Sequence, residues 1–139
     1  MTLDELTAAI NEAEELGINT PTTTAQAALA NIKLKKAELP EIPADFIKLL
    51  TRCNGLSHEG SAILGINTGS EFFPDLTEFN LQRQNRRQKS DALILGYDDS
   101  LYLIYNAASG TYQLIDQDSF DIEAESEEYY DFVPYLLTF

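Results

Sequence analysis

Apolar residues recur every three or four positions in three stretches of the first half of the chain, the spacing of an amphipathic helix. The stretches cover residues 3–16, 22–36 and 43–53. Thr2 and Glu5 form a capping box before the first stretch, and Gly17 is expected to end it. In the second stretch the pattern predicts four inward-facing residues: Ala25, Ala28, Leu29 and Ile32. The first half of the chain is therefore predicted to be mainly helical.

The third stretch, IPADFIKLLTRCNG, has the clearest apolar stripe. Pro43 suits the first position of a helix, because its φ is fixed and its missing N–H is not needed there. Asn54 and Gly55 tolerate the left-handed conformation and are expected to stop the helix. The stripe follows the spacing i, i+3, i+4 and i+7 and consists of Phe46, Leu49, Leu50 and Cys53. A helix this short and this apolar on one face is predicted to lie buried against a sheet.

After Gly55 the pattern changes to that of strands. Residues 92–97 are nearly all apolar, which is typical of a central strand buried on both faces. Turns are predicted at Asp98-Asp99 and in the NAASG segment that ends at Gly110. Because the strands follow each other so closely, they are predicted to pair as antiparallel hairpins. The predicted strands are residues 61–66, 92–97, 101–105 and 111–116.

Two further helices are predicted around the strands. A capping box from Asp75 to Glu78 predicts a helix that begins at Leu76. Because the apolar face of this helix is thin, it is expected to lie at the surface. Ser126 is expected to cap a last helix, in which Pro134 would cause a kink or a restart. The apolar face of that last helix would be Tyr129, Phe132, Val133 and Leu136.

Together these elements predict one α+β domain over residues 1–139. It consists of a small, mostly antiparallel and twisted sheet with N-terminal helices packed on it and a C-terminal helix. Residues 1–40 form the N-terminal helical part, and residues 42–139 carry the sheet. The 139 residues are 44% hydrophobic, which is enough apolar surface to bury a core.

Two blocks of the sequence resemble the SUKH superfamily, the Smi/Knr-like proteins. The first block is Pro43, Asp45, Phe46, Leu49, Leu50, Asn54 and Gly55. The second is Leu95-Gly96, Tyr102, Tyr105-Asn106, Gly110 and Ile115-Asp116. Between them, Ile63-Leu64-Gly65 lacks the aromatic residue that the family often has there. The resemblance implies a SUKH-like part over residues 42–139 and a non-enzymatic immunity protein that neutralises a bacterial toxin. Some members are regulatory or scaffold proteins inside the cell, which is the alternative.

The net charge of −14 is unevenly distributed. Residues 90–139 contain 11 acidic residues and no Lys or Arg. Such a field repels nucleic acid and anionic membranes and favours a basic protein partner, although it also keeps a protein soluble. Four bases cluster at Arg83, Arg86, Arg87 and Lys89, where they suit the end of a helix better than a nucleic-acid site.

Residues that could carry catalysis or bind a metal are sparse. The single histidine, His58, is predicted to lie in a loop, and the single cysteine, Cys53, to be a buried thiol. The series Asp116-x-Asp118-x-x-Asp121 lacks the glycine and the closing glutamate of a calcium loop. The sequence contains no nucleophile elbow and no phosphate-binding glycine loop. We therefore expect no catalytic residue, no cofactor and no metal, with a small enzyme of unrecognised type as the least favoured alternative.

The predicted partner is a basic toxin domain, such as a nuclease. Exposed loop carboxylates would steer the partner in, and strand tyrosines would supply apolar anchors. The predicted contact residues are Asp98, Asp99, Asp116, Asp118, Asp121, Glu123, Tyr102 and Tyr112. The chain has neither an apolar run of about 20 residues nor a secretory signal, so a cytoplasmic protein is expected.

Overall fold

The computed structural model of the chain describes residues 1–69, 73–84 and 91–139. These residues form five helices and seven strands. In chain order they are α1 (Leu3–Glu12), β1 (Gly17–Ile18), α2 (Thr24–Lys36), α3 (Ala44–Leu50), β2 (Leu56–His58), β3 (Ser61–Ile63), α4 (Leu76–Gln84), β4 (Ala92–Tyr97), β5 (Leu101–Asn106), β6 (Thr111–Asp116), β7 (Ile122–Ser126) and α5 (Phe132–Leu137).

The strands form one seven-stranded sheet in which spatial order equals chain order, from β1 to β7. Every pair of neighbours is antiparallel. Helices α1 to α3 precede strands β2 to β7, with the short strand β1 between α1 and α2, and α5 follows the last strand. The predicted single-domain α+β fold is therefore confirmed. The strands predicted at residues 92–97 and 111–116 have the predicted bounds, and β5 extends one residue further than predicted.

Helix α3 is shorter than predicted, because Pro43 is its N-cap and the helix ends at Leu50, before Cys53. Its apolar stripe is nevertheless buried as predicted. Phe46, Leu49 and Leu50 are fully buried, and Cys53 follows them into the same hydrophobic core. Burial raises the pKa of the Cys53 thiol to about 12, which keeps it protonated and unreactive. The Phe46 ring packs edge-on against Tyr129, whose hydroxyl donates to the backbone carbonyl of Asp45 at 2.7 Å. Helix α3 is thus fastened to the segment that leads into α5.

The two N-terminal helices differ from prediction in extent and in orientation. The capping box of α1 is present, but α1 ends at Glu12, and Gly17 lies in strand β1. In α2 the predicted inward residues are wrong: Ala25, Ala28, Leu29 and Ile32 are exposed, and Ala27, Ala30 and Leu34 are buried. Alanines occur on several sides of α2, so its periodicity does not identify a face. The buried face of α2 is instead identified by Leu34, which lies in the hydrophobic core.

The short strands at the beginning of the sheet were only partly predicted. The strand predicted at residues 61–66 ends at Ile63, because Gly65 leaves the sheet and exchanges backbone hydrogen bonds with Pro74 and Leu76. The loop predicted around His58 is wrong, since His58 ends β2. A three-residue strand has too few positions to show an alternating pattern.

Helix α4 begins at Leu76 as predicted, with the Asp75 carboxylate accepting the Glu78 N–H. As predicted, α4 lies at the surface with a narrow buried face: Leu76 and Asn80 are buried, whereas Glu78 and Gln82 are exposed. The Asn80 amide donates to the Ile94 carbonyl at 2.9 Å, and its oxygen accepts the Ile94 N–H at 2.8 Å. Strand β3 pairs with β4 only at Gly96 and Tyr97, so at Ile94 the Asn80 side-chain amide takes the place of the neighbouring strand.

The predicted basic cluster is only partly within the described residues. Its first member, the Arg83 guanidinium, lies 3.4 Å from the centre of the Phe79 ring. Such a cation–π contact on its own helix accounts for Arg83 without a ligand. Arg86, Arg87 and Lys89 lie outside the described residues.

The last helix also differs from its prediction. Ser126 does not cap a helix, because it is the last residue of β7. Helix α5 begins at Phe132, so Pro134 lies in the first turn, where the missing N–H has no helical partner to lose. The kink predicted at Pro134 is therefore wrong. Val133 and Leu136 are buried as predicted, and Tyr129 is buried in the segment before the helix.

Candidate protein-binding surface

The turn between β4 and β5 is built around the Asp98 carboxylate. Its Oδ1 accepts the backbone N–H groups of Ser100 at 2.8 Å and of Leu101 at 2.7 Å. Asp99 follows it in the turn and is exposed. One acidic residue therefore closes the turn, and the other projects from it into solvent.

The turn between β6 and β7 repeats this arrangement. Oδ1 of Asp116 accepts the N–H groups of Asp118 at 2.8 Å and of Ser119 at 2.9 Å. Backbone hydrogen bonds from Ser119 and Asp118 lower the pKa of the Asp116 carboxyl below its ordinary value. Asp118 and Asp121 are exposed. The Asp116 carboxylate thus closes its turn with backbone N–H groups, as Asp98 does.

Gln117 connects the two turns. Its side-chain amide donates to the carbonyl oxygens of Asp98 at 2.8 Å and of Leu101 at 3.0 Å. Its backbone N–H donates to the Ser100 carbonyl at 2.9 Å. Two turns that lie about twenty residues apart in the chain are therefore held side by side. We call residues 98–100 and 116–121 the acidic end of the sheet.

The apolar residues exposed beside these carboxylates are not the predicted ones. Phe120 in the acidic end is 43% exposed, and Ile122 at the start of β7 is 58% exposed. Tyr112, predicted as an anchor, is only 3% exposed and packs between the rings of Tyr105 and Tyr129. The prediction for Tyr112 is therefore wrong, because a core side chain offers no surface to a partner.

Tyr102, the other predicted anchor, is half-buried, with its ring edge-on to Phe79 of α4. It is accessible in part and faces the α4 side of the sheet. Sequence reasoning missed Phe120 and Ile122, although an aromatic and an aliphatic residue within an acidic turn were a visible signal.

Glu123 and Glu125 extend the acidic surface along β7, and both are exposed. The Glu125 carboxylate is held in place, because its Oε2 accepts from the Gln113 amide at 2.7 Å and from the Thr111 hydroxyl at 2.8 Å. These two hydrogen bonds lower the pKa of the Glu125 carboxyl, and the bond from Gln113 has the larger effect. Glu125 is therefore a fixed negative charge at neutral pH.

The turn between β5 and β6 has the same hydrogen-bond pattern without any charge. Oδ1 of Asn106 accepts the N–H groups of Ala108 at 3.0 Å and of Ser109 at 3.3 Å. The rest of this turn is small and neutral and ends at Gly110, whose φ is +70°. An amide oxygen in this chain thus closes a turn in the way that the Asp98 and Asp116 carboxylates do.

The single histidine has a structural contact. His58 has its Nδ1 2.7 Å from the Leu137 carbonyl, a contact that joins β2 to α5. Within residues 1–69, 73–84 and 91–139, no three His, Cys, Asp or Glu side chains are grouped so as to hold a metal ion. None of the helices described is long and apolar enough to cross a membrane.

A groove of about 740 Å³ lies between α2 and α4. Its wall on α2 includes the exposed Leu29 and Ile32 and the lysines Lys33 and Lys36. This is the apolar face of α2 that periodicity predicted to be inward. It is separate from the acidic end, which belongs to the last four strands.

No protein-family model matches this chain, and no curated protein matches it at a significant level. The SUKH resemblance therefore rests on its sequence motifs. One of them has a clear structural reason here: the Asn54 side chain exchanges two hydrogen bonds of 2.7 Å with the backbone of Ile66. Gly55 takes a φ of +110°, and a side chain on Gly65 would collide with the Asn54 carbonyl. The Asn-Gly step and Gly65 thus form one close backbone crossing.

Proposed function

We propose that this chain is a non-enzymatic, cytoplasmic immunity protein that binds and neutralises a basic toxin domain, such as a nuclease. The acidic end would be the binding surface, with Phe120 and Ile122 as its apolar anchors. A nuclease must hold phosphates with basic side chains, so an acidic protein can be attracted to that site and block it.

The observation that supports this proposal is that the acidic end carries more charge than its turns need. Asn106 closes the β5–β6 turn with an amide oxygen. Asp98 and Asp116 could therefore be amides, and the exposed Asp99, Asp118 and Asp121 close no turn with a hydrogen bond to Oδ1 among the described residues. Because these negative charges are not needed to form the turns, they are available to attract a basic partner electrostatically.

The first test uses the genes that flank the gene for this chain. A toxin domain encoded there is expressed in bacteria with and without this chain, and growth is followed. We expect growth to be restored and a stable complex to be recovered. If the two proteins form no complex and growth is not restored, the immunity function is contradicted.

The second test separates charge from fold. Asp99→Asn, Asp118→Asn, Asp121→Asn and Glu123→Gln together should slow association with the toxin about tenfold or more at low salt, and less at high salt. The matched control neutralises four exposed glutamates of the N-terminal part: Glu12, Glu14, Glu15 and Glu38. Equal rates for both variants would show that net charge, and not the acidic end with the neighbouring Glu123, controls association.

A further inference from the structure

Strand β7 is an open edge of the sheet. It pairs with β6 on one side, and no strand among the described residues lies on its other side. The opposite edge, β1, has two residues, whereas β7 has five. A five-residue open strand offers a row of backbone donors and acceptors to another chain, as a two-residue strand does not.

The register shows which backbone groups of β7 point outward. The Asp116 N–H donates to the Asp121 carbonyl, so Asp116 points toward β7, and because backbone directions alternate along a strand, Leu114 and Tyr112 do too. Leu114 pairs with Ala124, and Tyr112 pairs with Ser126. The residue between these partners, Glu125, therefore directs its N–H and C=O away from β6.

The side chains of β7 indicate what could pair with this edge. Glu123 and Glu125 lie on the strand and Glu127 and Glu128 follow it, while residues 90–139 contain no Lys or Arg. Like charges opposed across a strand pair are destabilising, so a second copy of this chain would be repelled from the edge. A strand with Lys or Arg side chains would be attracted, and Ile122, 58% exposed, offers it an apolar contact.

We propose that the edge of β7 binds an extended basic segment of the partner as an eighth strand. This inference rests on the proposed function and specifies its binding mode: backbone hydrogen bonds to β7 would give affinity, and the glutamates would select Lys or Arg side chains. The bulge opposite Leu114 and Ile115 places Glu123 between the paired residues Ile122 and Ala124. By the alternation of backbone directions, two β7 residues direct their backbone N–H and C=O groups toward the added strand: Ile122, opposite Ile115, and Glu125, opposite Gln113.

The probe for the test is a capped heptapeptide that alternates lysine and valine. It is compared with two versions in which every second amide is N-methylated. Each version blocks the N–H groups on one edge of the extended peptide, and its charge and side chains stay the same. We expect the unmodified peptide to bind the full chain at low salt, and at least one methylated version to bind about tenfold or more weakly, since it lacks the donors for β7. No binding of the unmodified peptide at millimolar concentration would overturn the proposal.

Amide hydrogen exchange measured by NMR locates the contact. With the peptide bound, exchange at Glu125 should slow about tenfold or more, because its outward N–H becomes hydrogen-bonded. Exchange at Ala124 and Ser126, which already face β6, should change much less. Peptide binding that leaves Glu125 unchanged, or that is unaffected by either pattern of N-methylation, would overturn the strand-pairing mode.

Self-association through β7 and failure of the proposed function would each give a different result. Concentration-dependent protection of Glu125 without any peptide would identify a second copy as the occupant and would overturn the proposal. If the peptide tests fail, the β7 edge is excluded as the binding site, and toxin neutralisation through the acidic end is not contradicted. The proposed function itself is tested separately, by growth and by recovery of the complex with the parent chain, and neither measurement uses the peptide. The charge-reversed pair Glu123→Lys and Glu125→Lys should abolish peptide binding, and Glu12→Lys with Glu14→Lys is its matched control.

Discussion

The three turns that connect β4 to β7 solve one structural problem with different chemistry. In each of them a single side-chain oxygen accepts two backbone N–H groups, and the residues that supply it are Asp98, Asn106 and Asp116. The β5–β6 turn is neutral, while the other two contain the exposed acids of the acidic end. The comparison shows that turn geometry requires an oxygen acceptor and does not require a charge.

This difference separates two roles within the same hairpins. The acceptors at positions 98, 106 and 116 stabilise the turns, and we attribute recognition to the exposed acids at positions 99, 118 and 121. Gln117 matters to both roles, because it holds the two acidic turns together through the Asp98 and Leu101 carbonyls. The predictions that follow test whether stability and association can be changed separately.

The largest expected effect belongs to the core that supports all three turns. Leu50→Ala removes a fully buried side chain from α3 and should lower the free energy of unfolding by about 2–5 kcal/mol. Urea unfolding measures this change. The protein that remains folded should associate with its partner at the parent rate, because the acidic end is unchanged. A loss below 1 kcal/mol would contradict the central place of α3 in the core.

A smaller effect is expected from exchanging the acceptors of the turns. Asp98→Ala and Asn106→Ala each leave two backbone N–H groups without their acceptor and should cost about 1–2 kcal/mol. Asp98→Asn and Asn106→Asp keep an oxygen acceptor and should cost less than about 0.5 kcal/mol. Denaturant titration of the four variants decides the matter. If Asp98→Asn were as costly as Asp98→Ala, the charge would be structural after all.

The smallest effect concerns pH. The folded-state pKa of Asp116 is lowered, so its carboxylate stabilises the fold above its ordinary pKa of 3.8, and this contribution is lost as the pH falls through the lower folded value. The melting temperature of Asp116→Asn should therefore lie below that of the parent at pH 7 and approach it near pH 3. Asp118→Asn removes a charge from the same turn and leaves the accepting carboxylate of Asp116 unchanged, so it controls for net charge. A difference that grows on acidification would contradict this assignment.

Local patterns predicted the elements whose own residues decide their structure. Helix α3 has an apolar stripe on a short segment, and β4 is apolar on both faces, so each could be recognised from consecutive residues. The turns at Asp98 and Asp116 were predictable for the same reason, because an Asp oxygen bonds to N–H groups two and three residues later.

Elements decided by distant residues could not be predicted in this way. Strand β2 exists because β1 and β3 pair with it, and β7 has a mostly exposed pattern that only its register with β6 makes a strand. Tyr112 was expected at the surface, since its strand could not reveal that Tyr105 and Tyr129 enclose its ring. In α2 the core selected the side with Leu34 over the side with Leu29 and Ile32.

The amino-acid sequence by itself therefore determined the fold class, the α3 stripe, the bounds of the central hairpins and the acidity of the last fifty residues. Only the tertiary structure decided that two acidic turns lie side by side, that Phe120 and Ile122 are exposed next to them, and that β7 has an open edge. The physical reason is that periodicity and turn chemistry act between neighbours in the chain. Proximity of turns, burial of a ring and openness of an edge depend on contacts between residues far apart in sequence, such as those of Gln117 with Asp98.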